Sequence, residues 1–336
     1  MAVANSIVKA SVGEPKTVSQ YLSGDKVKAW LTSSLGSEAA RQQFTSNIVA
    51  CASANPDLQK CDYATVVSAG LLATSLKLSM SPSLGLCYIV PFEDFKNKRT
   101  VGTFLLSYRG YVQLAIRSGY YKDIGVTDIK KGEYLGRDPE TGKPRFKFIE
   151  DDDERESAPT VGYMAYFEYM NGFRKVIYWS KDKVISHADT YSKAFSKDAV
   201  KSTYPNKCKV SFADYEAGNY PKEDAWKYSS PWYTSFDLMA MKTLVRQLIS
   251  KWGIMSVDMQ TAYEKDSEGM ERENRMFDSG EAAEEDFFGN SEGLDKPDVT
   301  DAEEKIVPKS ARKRKTADAE TVDADPSNFF DDPNDQ

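Results

Sequence analysis

LLATSLKLSMSPSLGLCYIVPFEDFKNKRTVGTFLLSYRGYVQLAIRSGYYK, residues 71–122, is the stretch that decides the reading of this chain. It begins inside an apolar run for which Asp62 is a natural N-cap. Val66, Val67, Leu71, Leu72, Leu76 and Leu78 cover most faces of the expected helix, so it belongs in the core. Pro82 cannot continue it. Two β-like runs follow, 86–92 and 101–106, separated by a polar loop that carries Lys96, Lys98 and Arg99. A second helix is predicted over 107–118, with Gly119 as its stop. Its polar flank holds Arg109, Gln113 and Arg117 at spacings of four, while Val112, Ala115 and Ile116 can face inward.

Working outward, 37–52 has helical character through Ala39, Ala40, Phe44, Ile48 and Val49. Residues 121–129 read as a strand, and 130–157 as charged turns. Asn171-Gly172 lies between the β-rich runs 161–170 and 173–179, a strong hairpin signal. A helix is expected over 180–191, then a long polar and aromatic loop or insertion over 192–230. In 234–252, Leu238, Met241, Val245, Leu248 and Trp252 recur at helical spacing, with Lys242 and Arg246 four apart on another face. The expected fold is therefore α+β: a mostly antiparallel sheet, with a β-hairpin packed against helices, and a disordered acidic C-terminal tail. The expected division is a flexible lead over 1–36, one α+β domain over 37–263, and an acidic tail over 264–336 with a basic run at 309–315.

The net charge of −7 conceals a split. The tail holds 23 acidic and 10 basic residues, a net of −13, which leaves the body at +6. A basic body suits a polyanion, and an acidic tail suits an interaction segment. The four cysteines make no CxxC pair, which argues for reduced thiols in a cytoplasmic protein. No apolar run reaches membrane-spanning length, and the N-terminus lacks the apolar centre of a signal peptide.

Catalytic constellations are weakly represented. His187 is the one histidine, so a nucleophile–base triad lacks its parts. The sequence from Gly136 to Pro144 approaches a phosphate-binding loop but has one residue too many between its glycines and Pro144 where Ser or Thr should hold Mg²⁺. The six carboxylates of 150–156 could serve a metal-dependent nuclease, but a contiguous acidic run points in all directions into solvent. No cofactor and no metal is expected, and the chain reads as a binding protein rather than an enzyme.

Binding chemistry is better represented. Tyr108-Arg109-Gly110-Tyr111, Arg117 with Tyr120-Tyr121-Lys122, and Phe173-Arg174-Lys175 with Tyr178-Trp179 interleave cations and rings. Cations displace counterions from phosphates, and rings stack on unpaired bases without sequence preference. A solvated face over a packed ring would give the same local pattern.

The stretch 71–122 also resembles the signature block of the RecT family of phage and prophage single-strand annealing proteins. The resemblance is carried by Leu84, Gly85, Tyr88 and Pro91, then by Tyr108, Arg109, Gly110 and Tyr111, then by Arg117, Ser118 and Gly119. Asn171, Gly172, Phe173 and Trp179 match a second block. Ser230-Pro231-Trp232, Asp237 to Thr243, Arg246 and Ser250 to Gly253 match a third. The resemblance runs from about Phe44 to Gln260, while 192–230 and the tail depart from the family pattern. It implies ATP-independent binding and annealing of single-stranded DNA, assembly into a homo-oligomeric ring or helical filament, and a partner exonuclease. It also implies a place in phage-type homologous recombination at the nucleoid of a bacterial host. A host single-strand binding protein is a candidate partner for the tail. From charge and position, the expected phosphate contacts are Arg109, Arg117, Lys122, Arg174, Lys175, Lys242 and Arg246, with Lys96, Lys98 and Arg99 on the loop. Tyr108, Tyr111 and Trp179 are the expected stacking rings. A coating protein that binds single strands without pairing them is the alternative, and a metal-dependent nuclease the third reading.

Overall fold

A computed structural model describes residues 15–95, 97–202 and 208–278. Lys96, the tail from 279 and the basic run at 309–315 lie outside the described residues.

Asp62 caps the helix as its sequence suggests, accepting from Ala64 N at 3.0 Å. Helix α1 is Val18–Leu22, α2 is Asp25–Leu35, α3 is Glu38–Ala54 and α4 is Tyr63–Ser75. Gly70 lets α3 and α4 cross closely, because a Cβ there would lie 2.2 Å from Ile48 Cδ1. Helices α1 and α2 fall where a flexible lead is expected from the sequence. Val18, Leu22 and Leu31 are buried in the common core, and three apolar anchors suffice to order a short polar segment.

The strands form three small sheets. In the first, β1 (Cys61–Asp62) pairs parallel with β3 (Arg99–Leu106), which pairs antiparallel with β2 (Cys87–Asp94). In the second, β4 (Tyr121–Lys130), β7 (Thr160–Tyr169) and β8 (Arg174–Ser180) run antiparallel in that order. A third, β5 (Tyr134–Arg137) with β6 (Pro144–Phe146), is a hairpin of its own. The α+β class and the antiparallel bias stand, but the single sheet of the sequence reading is divided. Helix α5 (Tyr108–Arg117) leads the chain from β3 in one sheet to β4 in another.

The Asn171-Gly172 hairpin closes on a three-residue loop. Tyr169 N donates to Phe173 O at 2.9 Å, and Gly172 takes a φ of 83°. That left-handed residue after a turn is the usual geometry for a loop of this length. Along β7, Tyr163, Ala165, Phe167 and Tyr169 alternate into the core. Helix α10 (Phe236–Trp252) lies across β4, β7 and β8 and buries Leu244, Val245, Leu248 and Ile249.

Two regions are more ordered than their composition suggests. After α7 (Lys181–Tyr191), the described parts of the 192–230 segment include α8 (Phe212–Glu216) and lead into α9 (Pro231–Thr234), and Phe195, Phe212 and Tyr228 pack with Tyr233 and Phe236 in an aromatic cluster. Phenols tie it down: Val210 N donates to Tyr228 Oη and Ser196 N to Tyr233 Oη, both at 2.9 Å. Helix α11 (Val257–Asp278) continues past residue 263, where the sequence places the start of a disordered tail. It covers β3, and Gly269 makes this possible, since a Cβ there would stand 2.6 Å from Leu105 Cδ2.

Between β4 and β7 the charged turns of 130–157 hold β5, β6 and α6 (Asp152–Ser157). The 150–156 carboxylates sit on or just before this short exposed helix. Among the described residues, no group of three or more His, Cys, Asp or Glu side chains is placed to hold a metal ion. Among them, too, no helix is long and apolar enough to cross a membrane.

Candidate nucleic-acid interface

Helix α5 is set by two local devices. Ser107 caps it, its hydroxyl accepting from Gly110 N at 3.1 Å. Gly110 lets it sit against the start of β2, because a Cβ would fall 2.3 Å from Leu86 O. Gly110, Tyr111, Leu114 and Ala115 then face inward, so Arg109, Gln113, Ile116 and Arg117 must face outward.

The outward face borders an open groove of about 700 Å³ between α5 and the edge strand β4. Tyr108, Arg109, Gln113 and Arg117 line it, with Val112 and Ile116 as apolar walls and Gly125 on the β4 side. A side chain at Gly125 would strike the Tyr166 ring at 2.8 Å. Arg109 Nε donates to Tyr108 Oη at 3.2 Å, and the guanidinium lies 5.8 Å from the centre of that ring. The phenols of Tyr108 and Tyr88 raise the pKa of Arg109, the Tyr108 hydrogen bond contributing most. Among the described residues no carboxylate pairs with Arg109, so its charge stands open to an anion. Tyr88 presents an exposed ring beside it and was absent from the sequence-based contacts. Its signal was alternation along β2, which puts Tyr88 opposite in facing to Cys87 and Ile89.

Arg117 closes the far end of the groove. Its guanidinium donates to the carbonyls of Leu76 and Lys77, the C-terminal end of α4, and stands 3.7 Å from Asp258. It satisfies carbonyls that the helix leaves unpaired, so it positions the wall while remaining partly exposed.

The other expected contacts are dispersed. Lys122 and Arg174 converge on Glu168, at 2.6 and 2.8 Å, on the sheet's outer side. Lys175 Nζ sits 3.5 Å from the centre of the Trp252 ring, a cation–π contact. Trp179 is half-buried against the core, edge-on to His187. Arg99 pairs with Asp62 at 2.6 Å, and Lys98 is exposed in a left-handed turn with φ 49°.

Three expected contacts are corrected outright. Lys242, Arg246 and Tyr111 do not face a groove; they converge on Asp266, which α11 buries completely. Asp266 accepts from Lys242 Nζ at 2.8 Å, from Tyr111 Oη at 2.9 Å and from Leu106 N at 2.9 Å. Arg246 Nε lies 3.8 Å from the same carboxylate, its guanidinium 4.4 Å from the Tyr263 ring centre. Burial, followed by the neighbouring carboxylate, raises the Tyr111 phenol well above its ordinary pKa. The physical reason is the counter-charge: two cations can be buried because α11 brings an acid to them.

The structure thus defines an α+β body with an open groove in which Arg109, without a carboxylate partner among the described residues, lies against the Tyr108 ring. The RecT family model matches residues 42–279, and the chain belongs to that family. The match takes in α11, beyond the span legible from motifs. YqaK of Bacillus subtilis (strain 168) is 32% identical over 276 residues, 81% of this chain and 81% of its own length. Protein RecT of Escherichia coli (strain K12) is 25% identical over 213 residues, 63% of this chain and 65% of its own length.

Proposed function

We propose that the chain binds single-stranded DNA along the α5 groove and pairs complementary strands without ATP. The observation that carries this reading is Arg109, exposed, without a carboxylate partner among the described residues, and held against the Tyr108 ring. A cation takes the phosphate and an accessible ring takes the base, which binds a strand without reading its sequence. Family membership supports the same reading.

Arg109 and, where it is exposed, Arg117 hold the first strand by its backbone with its base edges outward. Lys122, Arg174, Lys175, Lys98 and Arg99 are secondary phosphate contacts at the periphery. The second strand is selected by Watson–Crick pairing, worth roughly 1.4 kcal/mol per base-pair step, so no nucleotide fuel is needed. Copies of the chain assembled into a ring or filament join their grooves into one track and slow dissociation of the product. The tail recruits a partner exonuclease or the host single-strand binding protein, in the bacterial cytoplasm. The chain makes and breaks no covalent bond.

The test is annealing of two dye-labelled complementary oligonucleotides, without ATP or metal, the protein being added to one strand first. Pairing well above the spontaneous rate is expected. Tight binding with slowed pairing would identify a coating protein instead.

A further inference from the structure

The hairpin β5–β6 carries a second set of cations that the α5 groove does not use. Its base is fixed. The Glu133 carboxylate is buried and accepts from Lys130 N at 2.7 Å, Ile149 N at 3.2 Å and Arg155 Nε at 2.8 Å. Its inner side is fixed too: the Tyr134 ring stacks on Tyr178 of β8 at 4.2 Å, and Phe146 meets Tyr178 at 5.7 Å. Alternation then turns Lys143, Arg145 and Lys147 outward, all exposed and about 6.6 Å apart in sequence along the strand direction.

Asp138, whose pKa is lowered first by hydrogen bonds from Thr141 and last by Arg145, is committed to the turn. It accepts from Thr141 N at 2.9 Å and Glu140 N at 3.2 Å. Arg137 is exposed and donates to Gly142 O at 3.0 Å. Among the described residues none of these four cations has a carboxylate within ion-pair reach. Lys175, on β8, has a pKa lowered by burial and then by the like charge of Lys143. Phe148 is an exposed ring directly after Lys147.

We propose that the outward side of β5–β6 is a second phosphate-contact surface that takes the backbone of a nucleic-acid strand. It is separate from the α5 groove, whose lining includes none of these cations. A rigid base supports the assignment, because cations held in place lose little freedom on binding.

The inference rests on the DNA-binding reading above, and one salt series separates the two. The full chain and a Lys143→Gln/Arg145→Gln/Lys147→Gln variant are titrated with a dye-labelled oligothymidylate at increasing salt. Three lost phosphate contacts should lower the slope of log K against log salt by about 2. A Lys143→Arg/Lys147→Arg variant should keep the parental slope. Arg145→Gln alone, a milder change should the triple variant melt early, should lower it by about 0.7. Adding Arg109→Ala to the triple variant should subtract its own loss in full, as separate sites require. A parental slope in the triple and single variants, or losses that fail to add, overturns the second surface. A parental chain with no salt-dependent binding overturns the DNA reading itself.

Discussion

Helices α5 and α10 present the same pattern in sequence and opposite outcomes in structure. Each carries two cations on one flank, Arg109 and Arg117 eight residues apart, Lys242 and Arg246 four apart. On α5 the flank meets an open groove, and Arg109 keeps its charge for an outside ligand. On α10 the flank is roofed by α11, and Asp266 takes both cations. Spacing along a helix fixes which residues share a face; it does not say what lies over that face. Cations become a binding site only where the fold withholds their counter-charge.

The comparison breaks most readily at Asp266. Asp266→Ala would leave Lys242 and Arg246 buried without an acid, and should cost about 3–5 kcal/mol in urea unfolding. A loss below 1 kcal/mol would mean that α11 is not seated as described. Gly110→Ala is the next largest. Its methyl would meet Leu86 O, and a loss of about 1–3 kcal/mol is expected in the same measurement. On the open side, Arg109→Ala should leave the melting temperature unchanged and lower the single-strand salt slope by about 0.7, one phosphate contact. Lys242→Ala should do the reverse, lowering stability while leaving the slope alone; a reduced slope would return Lys242 to the interface.

The smallest effect concerns pH and sharpens the contrast between the hairpin and the core. Burial pushes the Glu133 carboxyl up, but the amides of Lys130 and Ile149 and the Arg155 guanidinium outweigh it, and its pKa is lowered. Asp128 is likewise lowered, with burial opposed by Lys130 and Arg155. Folded values below unfolded ones mean a contribution present above the ordinary carboxylate range and lost as pH falls through the folded values. Amide protection factors over 131–158, taken relative to the unfolded chain at each pH, should therefore fall on acidification from pH 5 toward pH 3, ahead of those of α10. Protection that stays high there would remove the Glu133–Arg155 pair as the hairpin's anchor.

The α5 face was legible because amphipathic spacing and a glycine stop are local signals, and both appear within thirteen residues of sequence. The NG hairpin and α10 were legible for the same reason. Helix α11 was missed because acidic composition masks a sparse buried stripe. Met259, Ala262, Asp266 and Gly269 recur at helical spacing and are buried, but one is charged and one is glycine. With α11 unseen, the partner of Lys242 and Arg246 could not be seen either. The order in 192–230 was missed because its aromatic cluster joins rings far apart in sequence, which no periodicity reports.

The seat of α11 has a further consequence, for how copies of this chain avoid sticking to one another. Strand β1 is only two residues long, so most of that edge of β3 has no strand beside it. Side chains stand in for the missing neighbour: Thr65 Oγ1 accepts from Gly102 N at 2.8 Å, Asp266 from Leu106 N, and Arg272 donates to Thr103 Oγ1 at 3.1 Å. A bare strand edge is a template for pairing with another chain. A chain cut at residue 263, where composition suggests the body ends, would expose that template and precipitate through edge-to-edge pairing.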